Sequence, residues 1–343
     1  MSRIGIMGYY DAANFGDDLM SFIVATLVQK KNHTPIILSK SATVKQLGFQ
    51  TCDSVKELVE RCDAIVLGGG GLLQELHSKD PASLSSQFSK NLLTAVGFAA
   101  NKNIPLYAVS IGGDATGAIR ALPCGIVAYL TSKQFRYATV RLSADKECLD
   151  YLNAPAAYVP DIVLGIAQLL PSIAKRESHQ RIDAVGVQDA PRYHALSLIK
   201  MSRSGKLPSL VFIHSHAKVR DEYMQKVPES RSFDHFLFSE GMESSIKFIG
   251  SLQGIFASRL HLGVTGLALG VPFYTIAASK KVEMFFSDLS MATPAVGLGL
   301  KERLMMPAFA ESIQTYDRSF RIQEACRMAV QHESLIERAC ELG

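Results

Sequence analysis

The segment IFASRLHLGVTGLALGVPFYTIA, from Ile255 to Ala277, is almost wholly apolar, yet Ser258, Arg259 and His261 stand near its start. Arginine keeps its charge at any pH the protein meets, and burying that charge unpaired is costly. Arg259 ends an apolar strand and His261 falls in the first turn of the helix that follows. A helix N-terminus favours anions, so a cation there is best accommodated with an anion beside it. Two readings fit. In one, Arg259 grips an anionic substrate while His261 moves a proton. In the other, Arg259 pairs with a packed carboxylate and His261 is a core histidine.

Four other strand exits carry candidate side chains. In GYYDAANFGDDLM (8–20), Gly8 and Gly16 allow a tight loop, and Asp17 or Asp18 is expected to cap the next helix. Asn14, Gly16 and Asp17 are the candidates for contact with a ligand. In GGGGLLQE (68–75), four successive glycines suggest that backbone approaches something closely. Gly69, Gly70 and Gly71 are therefore candidate binding positions, with the amides of a following helix start as an anion cradle. In TVRLSAD (139–145), Arg141 closes an apolar strand and is read either as an anion ligand or as half of a surface salt bridge, with Ser143 as the expected cap of the next helix. In VFIHSHAKVRD (211–221), His214 and His216 share a face if the strand continues. Two histidines with no third ligand at a known spacing do not make a metal site. His214 is expected to touch the site as a polar strand exit. The glycine patterns match neither GxGxxG nor a GK[ST] phosphate loop.

These exits need elements to hold them. Apolar strands are expected at 3–9, 34–39, 64–71, 104–113, 136–142 and 156–163, with helices over about 17–31, 55–62 and 83–101. The polar stretch 171–181 reads as a linker. The alternation then restarts with strands at 182–188, 209–216, 254–259 and 272–277 and helices near 192–203, 241–252 and from His261. An amphipathic helical segment occupies about 318–342. Apolar strands alternating with helices imply parallel sheets covered on both faces. Ligands in such sheets bind outside the carboxyl ends of the strands, so two α/β domains facing each other would share a cleft.

Composition narrows the classes. With 343 residues, two domains are the natural expectation. Lys and Arg exceed Asp and Glu by 36 to 32, too small an excess to argue for nucleic acid. It fits an anionic small substrate or a loose association with an acidic membrane surface. The six cysteines form no CxxC pair, so reduced thiols in a cytoplasmic protein are expected. The N-terminus starts a strand directly, with no room for a signal peptide. Leu260–Ser279 has no formally charged side chain, but Gly263, Gly266, Gly270 and Pro272 break it up, which argues for a buried helix–turn–strand.

Taken in order, GYYDAANFGDD, DAIVLGGGGLLQ (63–74), VRLSAD with VPDIV (159–163), and SRLHLGVTGLALGVPFYTIA (258–277) resemble the polysaccharide pyruvyl transferases along nearly the whole chain. The resemblance implies a GT-B-like α/β fold with two Rossmann-type domains. These are expected at 1–172, the acceptor side, and at 180–315, with Arg259 and His261, plus a C-terminal helix at 316–343 packing back across them. It implies transfer of the pyruvyl unit of phosphoenolpyruvate to sugar hydroxyls, with a glycan or lipid-linked saccharide as acceptor. No cofactor is implied. Arg259 and His261 would face phosphoenolpyruvate, with Arg141 a further anion ligand. A nucleotide-sugar glycosyltransferase on the same plan is the alternative, with Glu283 as the carboxylate that could hold a ribose, and a non-catalytic anion- or glycan-binding protein is another.

Overall fold

In the computed structural model, the apolar runs form parallel strands, and the described residues are 1–74, 80, 83–113, 122–174, 181–216, 225–276, 279–291, 295–296 and 320–342. Most of the expected linker (175–180), the end of the 211–221 segment, the loop from 114, and Ala277 lie outside them.

The chain divides into two units. The first comprises Met1–Ala13, Asp17–Gly165 and Arg327–Gly343; the second comprises Asn14–Gly16 and Ile166–Cys326. In the first unit, strands β1 (Arg3–Met7), β2 (Thr34–Leu38), β3 (Gln50–Cys52), β4 (Ala64–Leu67), β5 (Gly70–Leu73), β6 (Leu106–Gly113), β7 (Phe135–Val140) and β8 (Ala156–Tyr158) form one parallel sheet. Its order is β3-β2-β1-β4-β6-β7-β8, with β5 beside the far end of β6. Ile4, Ile6, Ile65, Val66, Tyr107 and Val109 are all buried, as expected where helices cover both faces. The helix Val55–Arg61 is capped by Ser54, whose side chain accepts from Glu57 N, and Leu84–Lys102 is capped likewise by Ser83.

The helix His332–Leu342 belongs to this unit and packs on β1, β4, β6 and β7. Its buried stripe is His332, Leu335, Ile336, Ala339 and Cys340, the i, i+3, i+4 spacing of one helix face. On its outer side, Glu333 and Glu337 both pair with Lys31.

The second unit has strands β9 (Ala184–Gln188), β10 (Ser209–His214), β11 (Asp234–Leu237), β12 (Gly254–Ala257), β13 (Phe273–Ile276) and β14 (Ala295–Val296), all parallel, in the order β11-β10-β9-β12-β13-β14. The uncharged segment after Arg259 is a buried helix, Leu260–Ala268, followed by a turn and β13. Among the described residues, no helix is long and apolar enough to cross a membrane.

Two expected details differ. The glycine run does not lead into a helix: after β4 it turns and enters β5, so no helix start offers its amides there. Gly69 and Gly70 are buried, and Gly70 has φ +132°, a conformation that L side chains rarely adopt. A side chain at Gly70 would therefore strain the backbone whether or not a ligand approaches. Ser143 is also no cap; it is the first residue of its helix, preceded by Leu142.

Candidate functional site

The helix Phe15–Lys30 begins two residues before the expected Asp17. Asn14 supplies the capping oxygen, its Oδ1 accepting from Gly16 N at 3.1 Å. Asp17 and Asp18 fall inside the first turn, both buried. Burial raises the Asp18 carboxyl to about 7, against a hydrogen bond from the Thr43 hydroxyl that lowers it.

Residues 14–16 meet the second unit's strand exits. Phe15 N donates to Ser215 O at 2.8 Å, Asn14 pairs with His216 in an antiparallel bridge, and the Phe15 ring sits edge-on to Phe238. Gly16 lies under His261: a Cβ on Gly16 would be 2.0 Å from His261 Nδ1 and 2.6 Å from its Cγ. Positions 14–16, 214–216 and 261, far apart in sequence, thus converge within one unit.

Arg259 occupies the N-cap position of its helix without a side-chain capping bond, and it is half exposed. Its Nε donates to Asp189 Oδ2 at 3.0 Å. Asp189 follows β9 in the left-handed region, φ +48°. Ser258 N bonds Gln188 O next to it, which ties the ends of β9 and β12 together. Burial, reinforced by the Arg259 charge, holds His216 below the usual imidazole range. Arg259 thus pairs with a carboxylate, but at the surface, where a ligand anion can compete for it.

His214 is buried at the end of β10, and its Nε2 lies 2.9 Å from His235 Nδ1. His235 Nε2 lies 3.1 Å from Ser230 O. A carbonyl only accepts, so in the neutral pair His235 donates through Nε2, and its Nδ1 accepts a hydrogen bond from His214 Nε2. That leaves His214 with its proton on Nε2 and a lone pair on Nδ1.

Arg141, expected as an anion ligand or in a surface pair, is 4% exposed, and its guanidinium pairs with Asp161 Oδ2 at 3.2 Å. The surface-pair reading is thereby corrected. Arg141 directly follows β7, and its backbone N donates to Ile111 O on β6 at 3.0 Å. Asp145 Oδ1 accepts from Gly113 N close by. A buried pair of this kind costs about 3–5 kcal/mol to break by removing one partner. In the glycine run, an added Cβ on Gly70 would lie 3.0 Å from Asp17 Oδ1, so Asp17 and Gly70 are neighbours. Gly71 is half-buried. Among the described residues, no group of three or more His, Cys, Asp or Glu side chains is arranged to hold a metal ion.

Sequence reasoning missed Asp189, Asp161 and His235. Asp161 lies inside VPDIV, and Asp189 precedes Ala-Pro at a strand exit, a common turn signal. His235 sits on an edge strand without an apolar run.

Two parallel-sheet α/β units with helix starts at their strand exits define the GT-B class, and solved structures of that architecture superpose along nearly the whole chain. The UDP-GlcNAc 2-epimerase of Methanocaldococcus jannaschii matches with TM-score 0.61 at 11% identity, over 98% of this chain and 100% of that one. The Neisseria meningitidis UDP-GlcNAc 2-epimerase bound to UDP-GlcNAc matches with TM-score 0.59 at 11% identity, over 98% and 100%. Anabaena HepE in complex with UDP-glucose matches with TM-score 0.57 at 10% identity, over 99% and 98%. At these identities the likeness is one of fold. No curated protein sequence matches the chain significantly. The sequence model for polysaccharide pyruvyl transferase matches residues 14–280. The chain belongs to that family, and the family marks it as a transferase.

Proposed function

We propose that the protein transfers the pyruvyl unit of phosphoenolpyruvate to two hydroxyls of a sugar in a glycan or lipid-linked saccharide, forming a ketal and releasing phosphate. The observation that carries this reading is the half-exposed Arg259, in the same unit as His261, which lies over Gly16. Arg259 binds the substrate carboxylate or phosphate by charge-assisted bonds in place of Asp189. The chemistry then runs through protons. A proton is delivered to the methylene carbon, the adjacent carbon becomes electrophilic, and a sugar hydroxyl attacks it and gives up its proton. Phosphate leaves with the C–O bonding pair. The second hydroxyl attacks the resulting cation and loses its proton, which closes the ketal.

His261 is our candidate for these proton transfers, a role worth about 10²–10⁴ in rate. His214 supports it as a polar contact at the β10 exit. Asn14 and Gly16 bring their backbone to the same unit's strand exits. Ser258 is at the turn where Arg259 begins. In the other unit, Asp17, Gly69, Gly70 and Gly71 are assigned to the acceptor, while Arg141, the further anion ligand, is held in its buried pair with Asp161.

The test is incubation of the purified protein with phosphoenolpyruvate and a panel of methyl glycopyranosides, reading phosphate release and a product mass gain of one pyruvyl ketal. Phosphate release with a ketal product on at least one glycoside supports the reading. Turnover of UDP-glucose without phosphoenolpyruvate consumption would overturn it in favour of a nucleotide-sugar transferase. Glu283, exposed at the first turn of the helix Lys280–Asp288, would then be the ribose-holding carboxylate.

A further inference from the structure

Residue 332 is the polar member of a helix stripe whose other buried members are apolar. Histidine in such a stripe must find partners, because unmet buried polar groups are costly. His332 has no solvent exposure. Its Nδ1 lies 2.8 Å from Thr139 Oγ1 on β7, and its Nε2 lies 2.8 Å from Pro160 O, between β8 and Asp161. Thr139 Oγ1 in turn accepts from Ser110 N at 2.9 Å. Ser110 Oγ accepts from Ile162 N at 3.1 Å.

Donors and acceptors fix the direction of this chain. The Pro160 carbonyl only accepts, so the Nε2 of His332 carries the proton. Nδ1 then accepts from the Thr139 hydroxyl, which leaves that oxygen free to accept from Ser110 N. Burial holds the imidazole down at about 4, so this single tautomer persists at neutral pH.

The backbone at Ser110 is strained. It is fully buried, with φ +52°, in the middle of β6. There β6 leaves its pairing with β4 (Leu67 opposite Ala108) and takes up β5 (Gly70 opposite Ile111). Non-glycine residues in that region cost about 1–3 kcal/mol and persist only when their surroundings over-determine them. The Ser110 carbonyl lies under the glycine run, 3.3 Å from where a Cβ on Gly69 would be. Ile162 follows Asp161, the partner of Arg141.

We propose that His332 is a positioning residue for the transfer reaction. From beneath the sheet it locks the exits of β6, β7 and β8, and so holds the Gly69–Gly71 turn and the Arg141–Asp161 pair in working geometry. This rests on the reading that those exits serve the acceptor. It also makes a helix outside the family-matched residues 14–280 necessary to the site.

The test uses the full chain carrying His332→Gln, His332→Phe or Thr139→Val. A glutamine can donate to Pro160 through Nε2 and accept from Thr139 through Oε1; a phenylalanine fills space and does neither. Two readouts are taken. One is phosphate release from phosphoenolpyruvate with the methyl glycopyranosides, split into kcat and the two KM values. The other is amide hydrogen exchange at Ser110 and Ile162. Expected for His332→Phe are at least tenfold lower kcat, an unchanged KM for phosphoenolpyruvate and at least tenfold faster exchange at both amides. His332→Gln should recover both to within about threefold. Thr139→Val should match His332→Phe, and the double variant should add nothing further, since both break one chain. If His332→Phe does not fold, Thr139→Val compared with Thr139→Ser decides the matter, with serine expected to rescue. Equal kcat and equal exchange in the glutamine and phenylalanine variants, or in the serine and valine variants, would overturn the proposal. If the parent protein releases no phosphate at all, the transfer reading fails. The exchange comparison still supports or overturns the positioning.

Discussion

Replacing Gly16 by alanine tests whether the start of the first helix confines His261. The backbone at Gly16 is not left-handed, so alanine meets no conformational penalty of its own. Its Cβ, however, would fall 2.0 Å from His261 Nδ1, where ordinary contact begins at 3.4 Å. Turning the ring about its Cβ–Cγ bond gives no relief, because His261 Cγ lies on that axis and would stay at 2.6 Å. The imidazole and the Gly16 backbone must therefore separate by about 1.4 Å. Overpacking of this kind costs about 1–3 kcal/mol of stability, so the variant should fold with a lowered melting temperature. A proton-transferring group displaced by about 1 Å loses on the order of 10²-fold in rate. The expected result is a kcat for phosphate release down about a hundredfold, with phosphoenolpyruvate affinity changed less than threefold, since the side chain that the new Cβ meets is His261, while Arg259 pairs with Asp189. The imidazole resonances of His261 should shift as well. Unchanged kcat and unchanged His261 resonances in a folded Gly16→Ala protein would refute the argument that Gly16 is glycine for the sake of His261.

Two further outcomes follow from charges already described. Because burial raises the folded-state pKa of Asp18 from its ordinary 3.8 to about 7, the stability present below the ordinary value is lost as pH rises through 7. Asp18→Asn has no such loss, so its stability relative to the parent should improve by about 3 kcal/mol between pH 5 and pH 8; parallel pH profiles in urea denaturation would show that Asp18 titrates normally. Asp189→Asn keeps a residue that tolerates the left-handed backbone and removes the carboxylate that competes for Arg259. Stability should stay within about 0.5 kcal/mol, as for other exposed pairs, while phosphoenolpyruvate, measured calorimetrically, should bind roughly two- to fivefold tighter; unchanged or weaker binding would separate Arg259 from the anion site.

Much of the architecture was readable because its central strands are apolar runs bounded by glycine, asparagine and aspartate. β1, β4, β6, β9 and β12 all read that way. The edge strands did not. Gln50–Cys52 is three residues long, and Asp234–Leu237 is largely half-exposed and carries Asp and His, so neither shows an apolar run. The candidate residues at strand exits could be listed, but their partners could not. Choosing Asn14 over Asp17 and Asp18 as the helix cap depends on the Phe15–Ser215 bond across two hundred residues. Arg141 was open between an anion ligand and half of a surface pair because nothing local reveals that Asp161, twenty residues on, is buried against it. His332 offered no signal beyond its place in an amphipathic helix, since its partners at 139 and 160 come from elements far earlier in the chain.

The discontinuity of the first unit also sets an order of synthesis. Its sheet is complete once Gly165 has been made, but its covering helix is part of Arg327–Gly343, and the 161 residues Ile166–Cys326 are translated in between. At ~5–20 residues per second that gap lasts roughly 8–30 s. Throughout it, the face of β4, β6 and β7 that His332–Leu342 will occupy stays open on the nascent chain. The second unit waits for nothing of the kind, since the residues it borrows, Asn14–Gly16, were made at the outset. The half of the protein begun second is therefore the first able to finish folding.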